Sequence, residues 1–370
     1  MDDQSLPQFL QEVTGDSHLR VEADLGDGFV RLRSSEAERR QAKQDIRSVE
    51  DIVIEMLRNA RDAGAHLVYL ATAREGARRT LTFIDDGCGI PASLFDAVFE
   101  PRVTSKLDTF HSDRWGVHGR GMALYGIRMN AERARVVASA PGKGSSLQVV
   151  ADTGKLPERA DQSAIPHLVL AEDGRMVMRG PRNINRMVAE FVVEEQQGCQ
   201  VFLGSPIEVV ASMVDAGTRA LSIRERTFVA DPEAYPLCLR PALAADPEEL
   251  AALSRSLGLD MSERSARRIL DGQVAPLQPF LSVLYGHQRQ DADGDSASAI
   301  SAPASPEELK RASDPRGLRI TRTDIARLQE AVQHAWAPIA QSYYLDGKVK
   351  PQVRVTKEGV RIFIPAVKEK

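Results

Sequence analysis

The chain is organised around one predicted helix, Asp51-Ile52-Val53-Ile54-Glu55-Met56-Leu57-Arg58-Asn59-Ala60-Arg61-Asp62-Ala63. Its apolar residues fall at positions 52, 53, 56, 57 and 60, which is the spacing of a helix that buries one side. Glu55, Asn59 and Asp62 then share a second face, since residues three and four apart on a helix lie above one another. A carboxylate beside an amide suits hydrolysis, because the carboxylate can accept a proton from water and the amide oxygen can bind Mg²⁺. A solvated polar face has the same spacing, so the helix alone leaves both interpretations open.

A second motif follows a predicted strand. Residues 79–84 alternate polar and apolar side chains, as a strand does. The chain then enters a glycine-punctuated turn, Asp85-Asp86-Gly87-Cys88-Gly89-Ile90. Asp85 is therefore expected at the end of the strand. An ordinary acidic turn carries the same Asp-Gly signal, so this motif is also open to a purely structural interpretation.

A third motif is rich in glycine and precedes a predicted helix over residues 122–131. It reads Gly116-Val117-His118-Gly119-Arg120-Gly121. Backbone amides at a glycine-rich helix N-terminus, together with the helix dipole, can hold a phosphate group. The order of glycines differs from the dinucleotide fingerprint, and the Walker A pattern is absent. The preceding stretch, between Gly89 and Gly116, is interpreted as a lid that closes over a nucleotide. Lys106 and His118 are candidate phosphate contacts; the alternative for both is a solvated surface group.

In this order and at these spacings, the three motifs resemble the nucleotide site of the GHKL ATPases, which include gyrase B, the ninety-kilodalton heat-shock chaperone, MutL and the histidine kinases. The resemblance spans roughly residues 45 to 205. It is closest to MutL, because Thr104-Ser105-Lys106 falls where MutL has a similar tripeptide, and there is some similarity to the topoisomerase VI B subunit.

The resemblance implies ATP and Mg²⁺ as cofactors. It implies that Glu55 is the general base, that Asn59 is the magnesium ligand, and that Asp85 accepts a hydrogen bond from the adenine amino group. The remaining nucleotide-binding positions that it implies are Asp62, Gly87, Gly89, Ile90, Thr104, Lys106, Gly116, His118, Gly119 and Gly121.

The chain departs from the family pattern at one position. GHKL domains usually carry a Gly-Thr pair entering a late strand, where the threonine joins a water-mediated contact to adenine. The candidates here are Gly144-Ser145-Ser146 and Gly198-Cys199-Gln200, and neither contains threonine. Chain order favours the second candidate, because another strand near residues 135–140 is expected before it.

Length and composition describe a soluble globular protein of more than one domain. The chain has 370 residues, of which 42% are hydrophobic and 27% are charged. It has no long apolar run and no basic leader followed by an apolar segment, so we expect neither a membrane span nor secretion. Cys88, Cys199 and Cys238 lack metal-site spacing and cannot all pair, which predicts reduced thiols in a cytoplasmic protein. A net charge of -4 argues against bulk nucleic-acid affinity, although a local basic face stays open.

We expect an α/β fold, a two-layer α/β sandwich of the GHKL (Bergerat) type with a mixed sheet, over residues 1–205. A hairpin at 18–33 precedes the motif helix. After the glycine loop, four further strands and one helix complete the sandwich: the strands lie near 135–140, 146–152, 168–178 and 199–203, and the helix spans 183–195. A helical domain at 206–290, a flexible linker at 291–306 and a C-terminal element of one helix and a β-hairpin at 307–370 follow.

Two segments beyond the sandwich bear on function. Residues 250–270 resemble a helix-turn-helix with Gly258 in the turn, and its second helix carries Arg264, Arg267 and Arg268, which raises DNA binding as an alternative. In the C-terminal element we expect a helix from Thr323 to Trp336 and a hairpin from Gln352 to Pro365 that turns at Glu358-Gly359. MutL and gyrase supply a lysine to the γ-phosphate from a second domain. Lys348, Lys350 and Lys357 are candidates for that role, and the sequence assigns it to none of them.

The sequence therefore predicts a Mg²⁺-dependent, slowly hydrolysing ATPase that uses lid closure and dimerisation to act on a macromolecular partner, expected to be a protein. Four alternatives stay open. The chain could be a reactivating chaperone for a cobalamin-dependent mutase, a histidine-kinase-like phosphotransferase, an ATP sensor that does not hydrolyse its ligand, or a topoisomerase-like or repair ATPase that binds DNA.

Overall fold

The computed structural model describes residues 21–105, 111–113, 116–118, 121–170, 176–195, 198–229, 231–285, 329, 332–333, 336, 340, 351–356 and 359–364. The chain divides into two compact units, Met1–Asp295 and Ser296–Lys370. Most of the described residues, and all three sequence motifs, belong to the first unit.

The first unit alternates helices and strands. Its helices are α1 (Glu36–Asp45), α2 (Val49–Asp62), α3 (Ala123–Asn130), α4 (Ile184–Glu195), α5 (Pro206–Ala220), α6 (Ile223–Thr227), α7 (Pro247–Ser256) and α8 (Glu263–Leu270). Its strands are β1 (Val21–Gly26), β2 (Phe29–Leu32), β3 (Leu67–Glu75), β4 (Arg78–Asp85), β5 (Val103–Thr104), β6 (His111–Asp113), β7 (Gly116–His118), β8 (Arg133–Ser139), β9 (Ser145–Asp152), β10 (His167–Leu170), β11 (Met176–Arg179) and β12 (Gln200–Gly204).

The central sheet, within the described residues, has five strands in the order β12-β3-β4-β9-β8. Strand β12 runs parallel to β3, and the remaining neighbours are antiparallel, so the sheet is mixed, as predicted. The pairing places Asp85, the last residue of β4, directly opposite Val68 on one side and Ser145 on the other. An acidic side chain therefore lies at the end of a central strand, between two neighbours.

The motif helix α2 packs on one face of this sheet. It begins after Ser48, whose side chain accepts a hydrogen bond from the Asp51 backbone and so caps a free N–H at the helix start. Its apolar stripe enters a core shared with α4 and the sheet; the fully buried members include Ile52, Val53, Leu57, Leu70, Leu81, Val188 and Phe191. Burial of this stripe orients the helix and leaves its polar face toward the end of β4.

The opposite face of the sheet is covered by the helices that follow residue 205. A second apolar cluster joins Tyr69 and Ile84 of the sheet to Met213, Leu237 and Leu250. This packing differs from the separate helical domain predicted for 206–290, because the helices share their core with strands of the nucleotide-motif region. Apolar residues facing both ways along β3 and β4 require a layer on each side.

Three other predictions can be compared with the fold. The hairpin over 18–33 is confirmed for its described part, β1 and β2, which pair antiparallel and take β5 as a third strand outside the central sheet. The strand predicted over 168–178 is wrong: β10 and β11 form a hairpin of their own. The helix predicted over 183–195 is confirmed as α4.

The helix-turn-helix-like segment is fixed to the sheet through its turn. The carbonyl of Leu257 accepts from the Ser146 hydroxyl at 2.8 Å, and that of Gly258 accepts from Gln148 Nε2 at 3.0 Å. On α8, Ala266 and Ile269 are buried, whereas its three arginines are exposed. The polar strand side chains explain why this turn docks here.

In the second unit, β13 (Gln352–Thr356) and β14 (Gly359–Phe363) pair antiparallel with Thr356 opposite Gly359, which confirms the two predicted strands. Residues 357–358, which include half of the predicted turn, lie outside the described residues. The predicted linker at 291–306, most of the helix from Thr323 to Trp336, and the three candidate lysines lie outside the described residues. Among the described residues, no helix is long and apolar enough to cross a membrane. The three cysteines are free thiols.

Candidate functional site

A cleft of about 830 Å³ lies along the polar face of α2. Its walls come from the end of α1, from α2, from the end of β4 and its following turn, and from the residues that lead into α3. Eight of the residues predicted for a nucleotide site line it: Glu55, Asn59, Asp62, Asp85, Gly89, Ile90, Thr104 and Gly121. The fold therefore brings together residues from all three motifs and from the Thr104 tripeptide.

The remaining predicted positions are less well placed or lie outside the described residues. Gly87 is not in the cleft wall, but its backbone N–H donates to Asp85. Gly116 and His118 are the ends of β7, which pairs with β6; the His118 side chain is outside the described part of the chain, as are Lys106 and Gly119. Their predicted contacts with phosphate stay predictions.

Asp85 is a buried carboxylate with both oxygens engaged. The residue is 4% exposed. Oδ1 accepts from the Gly87 N–H at 2.9 Å, and Oδ2 accepts from the Ser145 hydroxyl at 2.7 Å. Burial raises the pKa of Asp85 from its ordinary 3.8 to about 6, although these two hydrogen bonds act in the opposite direction. At neutral pH the wall of the cleft therefore includes a fixed hydrogen-bond acceptor.

Of the two candidates for the family's Gly-Thr pair, the structure brings Gly144-Ser145 beside Asp85. Ser145 lies directly opposite Asp85 in the sheet and donates to it. The sequence preference for Gly198-Cys199 is not supported, because β12, which follows Cys199, is separated from β4 by β3. Chain order does not discriminate between the candidates, because β8, the strand expected before the glycine pair, precedes both of them. The pairing register, which the residue type does not reveal, places Ser145 beside Asp85.

Two glycines let the backbone close around Asp85. Gly144 has φ +84°, and a Cβ built there would lie 2.0 Å from the Asp85 carbonyl oxygen. Gly89 has φ +75°, and its Cβ would lie 2.0 Å from the Ala140 carbonyl oxygen. The Ser139 hydroxyl links the two turns, because it accepts from the Ile90 N–H at 2.7 Å and donates to the Gly144 carbonyl at 2.8 Å. Neither Ser139 nor its role was visible in the sequence.

Gly144→Ala should damage this end of the cleft far more than Gly142→Ala does. Both glycines have positive φ, so both substitutions carry a backbone cost of about 1 kcal/mol. Only Gly144 faces a clash, since a Cβ at Gly142 would meet nothing within 4 Å. We expect the melting temperature and nucleotide affinity to fall for Gly144→Ala, with Gly142→Ala near the wild type in affinity. Equal effects in thermal melts and calorimetric titrations would contradict the close approach.

The polar face of α2 carries two arginines that pair with acidic side chains. Arg58 Nη1 donates to Glu55 Oε1 at 2.6 Å. Arg61 Nε donates to Asp62 at 3.1 Å, and Arg61 Nη1 donates to Glu195 at 3.2 Å, which joins α2 to the end of α4. Asp86 accepts from the N–H groups of His66 and Leu67 and fixes the start of β3. Asp86 and Asp85 are adjacent in the sequence, yet one is structural and the other faces the cleft.

The Asn59 side chain fits the role of a magnesium ligand. It lines the cleft, and its buried Nδ2 has no hydrogen-bond partner among the described residues. A side-chain amide that is not committed to the protein can turn its oxygen toward a cation. An amide oxygen is a suitable hard ligand for Mg²⁺, which keeps several waters and binds phosphate oxygens as well.

Part of the predicted lid belongs to the core. The turns Ala92–Leu94 and Ala97–Phe99 bury Leu94, Val98 and Phe99. The Arg102 N–H donates to the Gly121 carbonyl at 2.9 Å, so the two ends of the intervening segment lie side by side. Residues 92–99 of the stretch predicted as a lid therefore pack in the core, and only the part after residue 102 stays a candidate for closure.

Comparison with known proteins gives matches in the same region. Residues 44–155 match the family described as histidine kinase-, DNA gyrase B-, and HSP90-like ATPase. The DNA mismatch repair protein MutL of Thermus thermophilus is 42% identical over 89 residues, which cover 24% of this chain and 16% of that protein. MutL of Leptospira biflexa is 32% identical over 117 residues, which cover 31% of this chain and 19% of that protein. The matched segments thus span less than a fifth of these curated relatives.

A solved structure of the N-terminal domain of a DNA repair protein aligns at 15% identity and a TM-score of 0.25, over 46% of this chain and 53% of that chain. The match at 44–155 contains α2, β4 with its turn, and the loop that leads into α3, which are the elements that form the cleft. The resemblance predicted from the three motifs is confirmed over this region: residues 44–155 are similar to the histidine kinase-, DNA gyrase B- and HSP90-like (GHKL) ATPase domain, and segments of the chain are similar in sequence to MutL.

Proposed function

We propose that the cleft binds Mg-ATP and hydrolyses it slowly to ADP and phosphate. The observation that carries this proposal is that one cleft is lined by the buried Asp85 acceptor and, from α2, by Glu55 and Asn59. An acceptor for an amino group, an amide for a metal ion and a carboxylate for a proton are the three groups that binding and hydrolysis require. Asp85 would receive the adenine amino group.

The hydrolytic step follows from these positions. Mg²⁺, when bound, would neutralise phosphate charge, and Asn59 would be its protein ligand. Glu55 would accept the proton of a water molecule as the water oxygen attacks the γ-phosphorus. The bond between the γ-phosphorus and the bridging oxygen breaks, and ADP leaves with that bonding electron pair. Thr104 and Gly121, which line the cleft, would hold phosphate groups.

We further propose that ATP closes the segment between 102 and 121 over the cleft, and that closure promotes association of two copies and action on a protein partner. The hydrogen bond from Arg102 to Gly121 supports a common hinge for this segment. Closure and opening would then limit turnover, which gives a slow ATPase. The similarity to MutL supports the comparison with a switching ATPase, over the matched segment alone.

The direct test measures binding and phosphate release on the wild-type protein. Calorimetric titrations with ATP, ADP and GTP, each with Mg²⁺ and with a chelator, should show an adenine preference and a magnesium requirement. Phosphate release should accompany ATP alone. Absence of ATP binding would overturn the proposal, and tight binding without phosphate release would replace it with a nucleotide sensor.

Asp85→Asn should weaken ATP binding, and the stability of the empty variant relative to that of the wild type should rise with pH. The pKa of Asp85 is raised in the folded state, so its favourable contribution is present below about pH 4 and is lost as the pH rises through about 6. Asparagine is uncharged at every pH but has one acceptor oxygen where Asp85 uses two. The free energy of unfolding of the variant, relative to that of the wild type, should therefore be higher at pH 8 than at pH 4 by up to about 3 kcal/mol. ATP affinity should fall by about 1 to 3 kcal/mol, and GTP affinity should not.

Denaturant unfolding at pH 4 and pH 8, together with titrations of both nucleotides, provides the check. A stability difference from the wild type that is equal at both pH values would contradict the buried charge. An equal loss of ATP and GTP affinity would contradict the contact with adenine.

A further inference from the structure

Arg58 is a buried cation beside the proposed general base. Its side chain is 3% exposed and that of Glu55 is 20% exposed. The two residues are three positions apart on α2, and Arg58 Nη1 donates to Glu55 Oε1 at 2.6 Å. Arg58 also lines the cleft, yet the family resemblance assigns it no role. Burial of a charged guanidinium is costly, so its place beside Glu55 points to a role for the contact.

Because Arg58 is buried, its hydrogen bond restricts the conformations of the Glu55 side chain. A guanidinium is costly to bury unless charged or polar partners compensate for lost hydration, so Arg58 is held by its partners. A glutamate on a helix surface otherwise samples several rotamers, because it has three side-chain torsions. A charge-assisted hydrogen bond to a fixed guanidinium selects the rotamers that keep Oε1 in place. The carboxylate is thereby held on the cleft side of α2.

We propose that Arg58 is a positioning residue that holds the Glu55 carboxylate for proton transfer from the attacking water. This inference rests on the proposed function, since it gives Arg58 a role in the hydrolytic step alone. Displacement of a catalytic group by about 1 Å can reduce turnover by about 100-fold. Nucleotide binding depends on Asp85, Asn59 and the glycine loops, and so it should depend little on Arg58.

A cycle of four proteins tests this role: the wild type, Arg58→Met, Glu55→Ala and the double variant. Methionine fills the buried space without a charge. Arg58→Met should lower the turnover number by about 10- to 100-fold, with the dissociation constant for ATP within about threefold. In the Glu55→Ala background, the same substitution should cause no further loss, because the group it positions is gone. Arg58→Lys should recover part of the turnover.

Arg79→Met is the matched structural control. Arg79 is also a buried arginine on an element of the central fold, with 9% of its side chain exposed, and it donates to Glu158 at 2.7 Å. Neither Arg79 nor Glu158 lines the cleft. The loss of that ion pair should lower the melting temperature while turnover per folded molecule stays at the wild-type value.

A second readout needs no turnover. In the wild type, ¹⁵N NMR should resolve separate Nη signals for Arg58, because the ion pair hinders rotation of the guanidinium. Glu55→Ala should merge or broaden these signals. Unchanged signals in that variant would show that Glu55 does not restrain Arg58, which overturns the inference.

The remaining outcomes are also decisive. Wild-type turnover in Arg58→Met would overturn the inference. An equal loss of turnover in the Glu55→Ala background would mean that Arg58 acts on the nucleotide itself. A parallel fall in ATP affinity and melting temperature would reduce Arg58 to a structural residue. Failure of the wild type to hydrolyse bound ATP would remove the proposed function first and the role of Arg58 with it, whatever the NMR signals show.

Discussion

Glu55→Ala should leave ATP bound and reduce phosphate release by about 10²- to 10⁴-fold, the usual contribution of a positioned general base. Glu55 lines the cleft beside Asn59, whereas the acceptor proposed for adenine, Asp85, belongs to another element. Removal of the carboxylate therefore takes away the proton acceptor and leaves the groups proposed to bind the nucleotide. Single-turnover phosphate release and ATP titration measure the two effects separately. A rate within threefold of the wild type would contradict the assignment.

The alanine variant carries a stability cost that needs its own control. Arg58 loses a charged partner at 2.6 Å, and we expect a loss of about 1 to 3 kcal/mol in the free energy of unfolding. Glu55→Gln keeps an oxygen that can accept from Arg58 but cannot take up a proton at neutral pH. It should match alanine in lost turnover and exceed it in melting temperature. Recovery of turnover in the glutamine variant would contradict the role as a base.

The same variants should reveal the proposed switch. With ATP bound and not hydrolysed, residues between 102 and 121 should resist protease, and the protein should sediment as a dimer. With ADP, neither effect should appear. Protection is not expected to differ at Ala97–Phe99, because Val98 and Phe99 are buried in the core. Identical cleavage and mass with both nucleotides would remove closure and association from the proposal.

Asn59→Ala should abolish the magnesium-dependent part of ATP binding. Alanine removes the proposed protein ligand of Mg²⁺ while the triphosphate keeps its charge. Loss of a residue that merely supports a metal ligand costs about 10- to 100-fold in metal affinity, so loss of the ligand itself should cost about 100-fold or more. Calorimetric titration of ATP at several Mg²⁺ concentrations measures the effect. Unchanged affinity would rule out Asn59 as the ligand.

Measurements of unfolding distinguish the loss of a metal ligand in Asn59→Ala from misfolding of the variant. Asn59 Nδ2 is buried without a hydrogen-bond partner among the described residues, so its removal should not lower the free energy of unfolding. Asn130 provides the contrast, because its Nδ2 donates to the carbonyls of Lys43 and Gly126, both at 2.9 Å. Asn130→Ala should lower the melting temperature and retain the magnesium dependence. A lower melting temperature of Asn59→Ala would contradict the absence of a hydrogen-bond partner for Nδ2. The loss of ATP binding in that variant would then reflect misfolding rather than loss of the metal ligand.

Local patterns in the sequence determined the elements that carry the site. The helical spacing of Ile52, Val53 and Leu57 predicted α2, and with it the shared face of Glu55 and Asn59. Alternation before Asp85 predicted β4 and placed the carboxylate at its end. These predictions succeeded because helix and strand periods are short and can be read within a few residues. The order of the three motifs then predicted a resemblance to the GHKL ATPases, which the match at 44–155 confirms for that segment.

Only the tertiary structure decided which distant residues meet. Ser145 is 60 residues from Asp85 in the chain and lies beside it through strand pairing. The helices after 205 pack on the sheet rather than forming a separate domain, because they bury the apolar side chains of Tyr69 and Ile84 on that face. The sequence shows Arg58 only as a charged residue of a helix, and its burial follows from the packing around it. Pairing register and burial depend on the packing of the whole chain, and no local spacing of residues encodes them.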